Sequence, residues 1–450
     1  MPEVHEPGKH PEENGKRHFI NEKVVKPPLS RKQVAKYTLA LVCAAAAFGG
    51  VAAVSFVVTR PLAEHYLGKE TPAESSVSIP KDEIPTSAAE EIPEESSTEA
   101  SEPIEDKVQS VLENYRYTTD DLNSMIGSLR TQVQKSSQGI VVVHSVQQDT
   151  DWFDNAVETS GQYAGAVIAE TDQELLILTP EAAVEAADSI KVTFNSGSDV
   201  DGRIKQKDSA SGMAVVSVSV ADLDVTTLKT VSTIPLGNSY TVREGDLIAA
   251  VGGPAGMVHS VDYGFVSYVL KNAAMTDQWN RVVYANIMSD ADTGTFFLNT
   301  SGELIGWDLN PSIGLVGGEA SDEADQSMPV TEVMGVSDYK VILERLSNGL
   351  GAPSFGIVGQ EVTEAQAEAT PGLPRGIYVV SVLNDRPAYS AGIQNGDIIV
   401  EADGREIETM KDFQSMMENL ECGQLINVTV QRNGREAYAE LEFQLTVGAR

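Results

Sequence analysis

The chain has 450 residues, 32 Lys+Arg against 66 Asp+Glu, a formal net charge of −34 and two cysteines. That length accommodates two or three domains, and so acidic a balance repels phosphate backbones, which excludes nucleic-acid binding as the main role. Cys43 and Cys422 cannot build a disulfide framework and have no neighbouring Cys or His, so no metal site and no cofactor is expected.

Residues 1–36 are predicted to form a basic cytoplasmic tail, with eight Lys/Arg against five acids. Tyr37 to Thr59 then runs 23 residues without a charge, YTLALVCAAAAFGGVAAVSFVVT. As a helix it would reach about 35 Å, enough for a hydrocarbon core of ~30 Å, so residues 37–59 are read as a transmembrane helix. Arg31, Lys32 and Lys36 precede it and only Arg60 follows closely, which places the N-terminus inside and residues 60–450 outside a cell membrane crossed once. A cleaved signal peptide fits less well, because the apolar run is long and a basic stretch of 36 residues precedes it. Residues 60–106 are read as an acidic Pro/Ser-rich linker. Between 69 and 106 lie twelve acids, five prolines and ten Ser/Thr, a composition with almost nothing to bury. Across 107–136 apolar residues return at helical spacing (Val111, Leu112, Tyr115, Leu122, Met125, Ile126, Leu129, Val133), predicting a helical stalk or docking arm.

From Gly139 the pattern is that of strands. Ile140–Val143, Gly161–Glu170, Leu175–Thr179, Ile190–Phe194, Met213–Val220, Asp246–Val251, Tyr263–Leu270, Val282–Met288 and Phe296–Trp307 follow one another with Gly-rich turns between them. Many short strands at regular spacing predict a closed barrel or a sandwich pair over 137–332. A helical connector is predicted over 333–349, from the spacing of Val333 to Leu346, and a second unit over 350–450.

The order of short motifs then points to a family. Gly165-Ala-Val-Ile, Leu178-Thr179, Met213-Ala-Val, Leu236-Gly-Asn-Ser, Ala250-Val-Gly-Gly-Pro254, Tyr263-Gly-Phe-Val-Ser and Asn299-Thr-Ser-Gly-Glu-Leu-Ile-Gly306 resemble, segment by segment, the trypsin-like domain of HtrA (DegP/DegS-like) serine proteases. Ser354-Phe-Gly-Ile357, Ser390-Ala-Gly-Ile and Gly396-Asp-Ile-Ile are similar to the signature of the PDZ domain that follows it in that family. The resemblance implies a mainly β fold, a trypsin-like double β-barrel followed by an α+β PDZ domain, and a possible homotrimer.

The family's catalytic residues do not carry over. The segment matching its histidine reads Thr179-Pro-Glu-Ala-Ala-Val184 and places Ala182 at the general base. Gly212 stands where the orienting aspartate is expected, and Ala291-Asp-Thr-Gly-Thr-Phe-Phe297 places Thr293 at the nucleophile. A hydroxyl without a neighbouring base is a poor nucleophile. Ala291 and Thr295 also replace glycines that would let backbone N–H groups converge on an oxyanion. Glu181 beside Ala182 reads as a solvent-facing acid, and Asp290 and Asp292 beside Thr293 as capping or surface groups.

In the PDZ-like unit the resemblance implies that the N–H groups of Phe355, Gly356 and Ile357 receive a peptide carboxylate. A helix carrying Met410, Phe413 and Met417 would form the facing wall. Two functions follow. One is a membrane-anchored pseudoprotease that binds C-terminal or unfolded peptides of envelope proteins, in quality control or regulation. The other is an active HtrA-like serine endopeptidase that degrades misfolded envelope proteins.

Overall fold

The computed structural model describes residues 76–84, 118–150, 156–308, 330–435 and 437–450. The basic tail and the expected transmembrane segment lie outside these residues. Among the described residues no helix is long and apolar enough to cross a membrane.

Helix α1 (Thr119–Ser136) begins with a capping box, in which Thr118 Oγ1 accepts from Asp121 N–H and the Asp121 carboxylate accepts from Thr118 N–H. Its last turns are held by the fold. Val133 is buried, Gln132 Nε2 donates to Ser301 O at 2.6 Å, and Ser136 Oγ donates to Gly302 O at 2.9 Å. Leu122, Met125 and Ile126 on the first turns are exposed. The C-terminal half therefore docks, while the N-terminal half stands in solvent.

Six strands follow: β1 (Ile140–Thr150), β2 (Ala156–Glu170), β3 (Glu174–Pro180), β4 (Ser189–Thr193), β5 (Asp199–Asp208) and β6 (Met213–Ser219). They close into a barrel in the order β1-β2-β3-β6-β5-β4, with a short helix α2 (Ala182–Glu185) after β3. After the short helix α3 (Val225–Thr230), six more strands form a second barrel: β7 (Leu247–Gly252), β8 (Ser260–Met275), β9 (Gln278–Ala285), β10 (Thr295–Leu298), β11 (Leu304–Asp308) and β12 (Thr331–Gly335). Read around the ring, its order β7-β8-β9-β12-β11-β10 repeats that of the first.

The period of two along each strand decides which core a side chain enters. On β3, Leu175 and Ile177 fill the first barrel, while Leu176 and Leu178 face a core shared between the barrels. On β10, Phe297 fills the second barrel and Phe296 the shared core, both fully buried. The bulky pair at Phe296-Phe297 is thus core packing, and truncating either to Ala would cost about 3–5 kcal/mol.

The connector expected as helix over 333–349 starts as strand. Thr331–Gly335 is β12, which pairs with β9 and β11 and supplies Val333 to the barrel interior. A 3-10 turn (Val336–Tyr339) and helix α4 (Lys340–Ser347) follow. Part of the segment read as an acidic linker also packs here. Asn348 Oδ1 accepts from Val77 N–H at 2.9 Å and Asn348 Nδ2 donates to Val77 O at 2.8 Å. Glu344 Oε2 accepts from Ile79 N–H at 2.7 Å, and Lys340 Nζ donates to Asp82 Oδ1 at 2.9 Å. Val77 and Ile79 pack on the shared core, so this stretch buries two of the few apolar side chains that the composition of 69–106 offers.

The C-terminal domain begins with β13 (Pro353–Ser354) and β14 (Ile357–Val362), then α5 (Glu364–Ala369), β15 (Gly376–Val382), α6 (Pro387–Ala391), β16 (Asp397–Ala402) and β17 (Arg405–Glu406). Helix α7 (Met410–Met417), β18 (Leu425–Asn433), β19 (Tyr438–Thr446) and β20 (Gly448–Ala449) complete it. The sheet order is β14-β15-β16-β18-β19, with β17 on β16, while β13 and β20 pair separately.

Candidate functional site

The ends of β3 and β11 and the starts of β6 and β10 meet at the seam between the barrels. They enclose a cavity of about 290 Å³ lined by Pro180, Ala182, Gly212, Met213, Thr295 and Trp307 among others. Ala182 on α2 and Gly212 before β6 both line it, as do Asp292 and Gly294 on either side of Thr293. The three positions expected to be degenerate are therefore brought to one place. Ala164 N–H donates to Thr293 O at 2.7 Å, and Gly294 has φ +93°. A Cβ on Gly294 would lie 2.7 Å from Pro180 Cγ, so the loop after Thr293 requires glycine.

Asp290 determines what Thr293 can do. Its carboxylate accepts from the Thr293 hydroxyl at 3.1 Å, from Thr293 N–H at 3.3 Å and from Asp292 N–H at 3.0 Å. This is a side-chain cap on the loop, the role expected of it. It also turns the Thr293 N–H toward a negative group, where a developing oxyanion could not sit. Among the described residues no histidine lines the cavity. His144 Nε2 lies 2.8 Å from Thr193 Oγ1 on the first barrel, and His259 sits at φ +71°, its basicity lowered by burial. Glu181 departs from the solvent-facing expectation: it lines the cavity, pairs with Lys207 Nζ at 2.7 Å and accepts from Ser209 Oγ at 2.7 Å. With both partners in place it is not a free base.

Asp308, at the end of β11, is a cavity residue that no motif singles out. Its carboxyl is pushed up to about 7, chiefly by burial; Ser289 Oγ, which donates to it, pulls down, and Asp290, Glu332 and Asp292 add to the rise. Between the ordinary carboxylate value of about 4 and about 7 the folded chain holds a proton that the unfolded chain has released. That stabilisation is complete below the window and lost as pH rises through it. We expect urea midpoints of the full chain to fall between pH 4.5 and 8 by the equivalent of roughly 3 kcal/mol, and Asp308→Asn to flatten this slope. An unchanged slope in the variant would assign the dependence elsewhere.

The second candidate site is the C-terminal domain's groove. Phe355, Ile357, Met410, Phe413 and Met417 all belong to one buried cluster, with the rings of Phe355 and Phe413 edge to face at 5.4 Å. The side chains expected to line a peptide groove thus chiefly build the domain's core, although Met417 also reaches a small cavity beside Asp277. The N–H groups of Phe355, Gly356 and Ile357 do converge, as the motif implies. They converge on the carboxylate of Asp277, from the two-residue turn between β8 and β9. Asp277 Oδ1 accepts from Gly356 N–H at 3.0 Å and Ile357 N–H at 3.1 Å. Its Oδ2 accepts from Phe355 N–H at 3.1 Å and Ser354 Oγ at 2.6 Å. Asp277 is 4% exposed; burial pushes its carboxyl up, and the Ser354 hydroxyl, Arg450 and the backbone donors pull it back. Gly356 has φ +79°, and a Cβ there would lie 2.2 Å from Arg386 Cβ, so only glycine shapes this loop.

Residues 131–306 match the family model of the trypsin-like peptidase domain, and residues 355–443 that of the PDZ domain. The chain is 29% identical over 299 residues to a protein described as probable periplasmic serine endoprotease DegP-like from Pseudomonas savastanoi pv. phaseolicola, covering 66% of this chain and 57% of that one. It is 26% identical over 301 residues to the serine protease Do-like HtrA of Bacillus subtilis, covering 63% and 64%. The chain thus spans less than two thirds of the length of these two relatives. Among solved structures, the HtrA-type protease AlgW with decapeptide is similar over 72% of this chain and 98% of its own, at 18% identity and a TM-score of 0.48. With a trypsin-like peptidase domain followed by a PDZ domain, and serine endoproteases of one kind as relatives, the chain belongs to the HtrA family.

Proposed function

We propose that this chain is a non-cutting member of the HtrA family that binds peptides of envelope proteins through its PDZ domain. The observation that carries this reading is the seam cavity. It holds alanine and glycine at the base and orienter positions, and a threonine whose hydroxyl and N–H both donate to Asp290. Proton abstraction from Thr293 would need a base with no competing role, and Asp290 Oδ1 is already committed to two backbone N–H groups of the loop. One observation favours the alternative, an active endopeptidase: the carboxylate 3.1 Å from the Thr293 hydroxyl could serve as that base. Unfolded casein and a fluorophosphonate probe offered to the full chain separate the two. No cleavage and no labelling are expected, and turnover that disappears on Thr293→Ala would establish the alternative.

The proposal includes anchoring by residues 37–59 with the folded domains outside, supported by the charge-free run and by the periplasmic relative. Protease added to intact cells is expected to degrade or shorten the chain from the outside. Full protection until lysis would reverse the topology.

A further inference from the structure

The PDZ groove is occupied by the chain itself. Besides the carboxylate contacts, Asp277 N–H donates to Ile357 O at 2.8 Å, and Thr276 bridges antiparallel to Val358. This is how an extended peptide adds to the groove strand. Trp279 then spans both walls: its Nε1 donates to Gly359 O on β14 at 3.3 Å, and Gln414 Nε2 on α7 donates to Trp279 O at 3.4 Å. Its indole packs against the core of the PDZ domain. A side-chain carboxylate in the seat of a terminal one, a strand bridge beside it and an aromatic between the walls amount to a built-in ligand. Asp277 holds φ +64°, a conformation unusual outside glycine but better tolerated by Asp and Asn, which turns its side chain into the loop.

We propose that the β8–β9 turn is a cis ligand of the PDZ domain, imitating a peptide C-terminus, and that a C-terminal peptide binds this chain only by displacing it. The inference rests on the peptide-binding reading above. Tethering makes the occupant an intramolecular competitor, so the apparent affinity for a free peptide falls by the fraction of chains in which the turn is undocked. Opening also exposes four donors, Ser354 Oγ and three N–H groups, that a terminal carboxylate can satisfy in turn. Any ligand must therefore bring its own carboxylate, because an amide leaves the same donors facing a group with one oxygen fewer.

The test uses the full chain, a fluorescein-labelled decapeptide ending in Leu with a free carboxylate, and the same peptide amidated. Asp277→Asn keeps the backbone conformation accessible but replaces one oxygen with an amide that opposes the donors. We expect it to bind the free-acid peptide at least about tenfold more tightly than the unaltered chain, to ignore the amidated one, and to lose hydrogen-exchange protection at Phe355, Gly356 and Ile357. Trp279→Phe, which removes the indole donation and part of the ring's packing, should shift affinity the same way by a smaller factor and covers the case in which Asp277→Asn is poorly folded. Equal affinity in all three chains, or unchanged protection in Asp277→Asn, overturns the cis ligand and leaves peptide binding standing. Lost protection with neither peptide bound by any chain, or with both bound equally, overturns the peptide-binding reading itself.

Discussion

Writing the family's triad into this chain, as Ala182→His with Gly212→Asp and Thr293→Ser, is expected to leave casein turnover at background. In comparable enzymes loss of the nucleophile or base costs about a millionfold, and what survives, roughly a thousandfold or more over water, comes from the oxyanion hole and binding. Here the surviving part is compromised as well. The N–H at position 293 donates to Asp290, and one lost oxyanion donor is worth about a hundred- to a thousandfold. Glu181, Glu185, Asp292 and Asp308 line the same cavity, so a tetrahedral oxyanion would form among carboxylates. An aspartate at position 212 must also adopt φ +68°, which costs about 1–2 kcal/mol. Adding Asp290→Ala to the restored triad should raise turnover, because it frees the N–H. Efficient casein cleavage by the triple variant alone would show that these departures from the family pattern do not matter.

The second large effect lies in stability. Arg450 Nε donates to Asp208 Oδ1 at 3.1 Å, its Nη1 to Gln278 Oε1 at 2.8 Å, and its N–H to Ala352 O at 3.0 Å, with the guanidinium over the ring of Tyr339. One buried side chain thereby joins β5 of the first barrel, β9 of the second and the last strand of the PDZ domain. Arg450→Met leaves the Asp208 carboxylate buried without its charge partner, an expected loss of about 3–5 kcal/mol in urea unfolding of the full chain. The pair is not ideal: Asp208 Oδ2 and Arg450 Nη2 find no hydrogen-bond partner among the described residues. Replacing both, as Asp208→Leu with Arg450→Met, is therefore expected to recover most of the loss. A single-variant cost below about 1 kcal/mol would mean that water reaches the pair.

The strands that fill the cores were legible because their apolar residues run or alternate without interruption, as in Leu175–Leu178 and Ala249–Val251. β5 was not, because its residues, Asp199 to Asp208, are mostly polar and pair with neighbours that carry the apolar signal. β12 was hidden by adjacency, since Val333 and Val336 keep a helical spacing with the residues of α4 although the chain is extended before Val336. The proposed loss of the triad rests on three positions in order, Ala182, Gly212 and Thr293. Asp290 as a cap was readable too, because its partners are within three residues. Asp277 was not. An aspartate in a tight turn already has a local explanation, and its partners at 354–357 are reached only after the second barrel has closed. Asp308 and the Asp208–Arg450 pair share that difficulty, for burial comes from distant strands and leaves no mark on neighbouring residues.

The clasp made by residues 76–84 on α4 changes what a backbone cut would do. A break placed anywhere from 85 to 117 separates the chain covalently into two pieces. The smaller piece still carries Val77, Ile79 and Asp82, which hold Asn348, Glu344 and Lys340 through four hydrogen bonds and ion pairs besides two packed apolar side chains. Nicked molecules should therefore run as two bands in denaturing gels yet elute as one particle under native conditions. Co-expressed fragments divided within 85–117 should assemble without a linker, and an Asp82→Ala fragment should dissociate first.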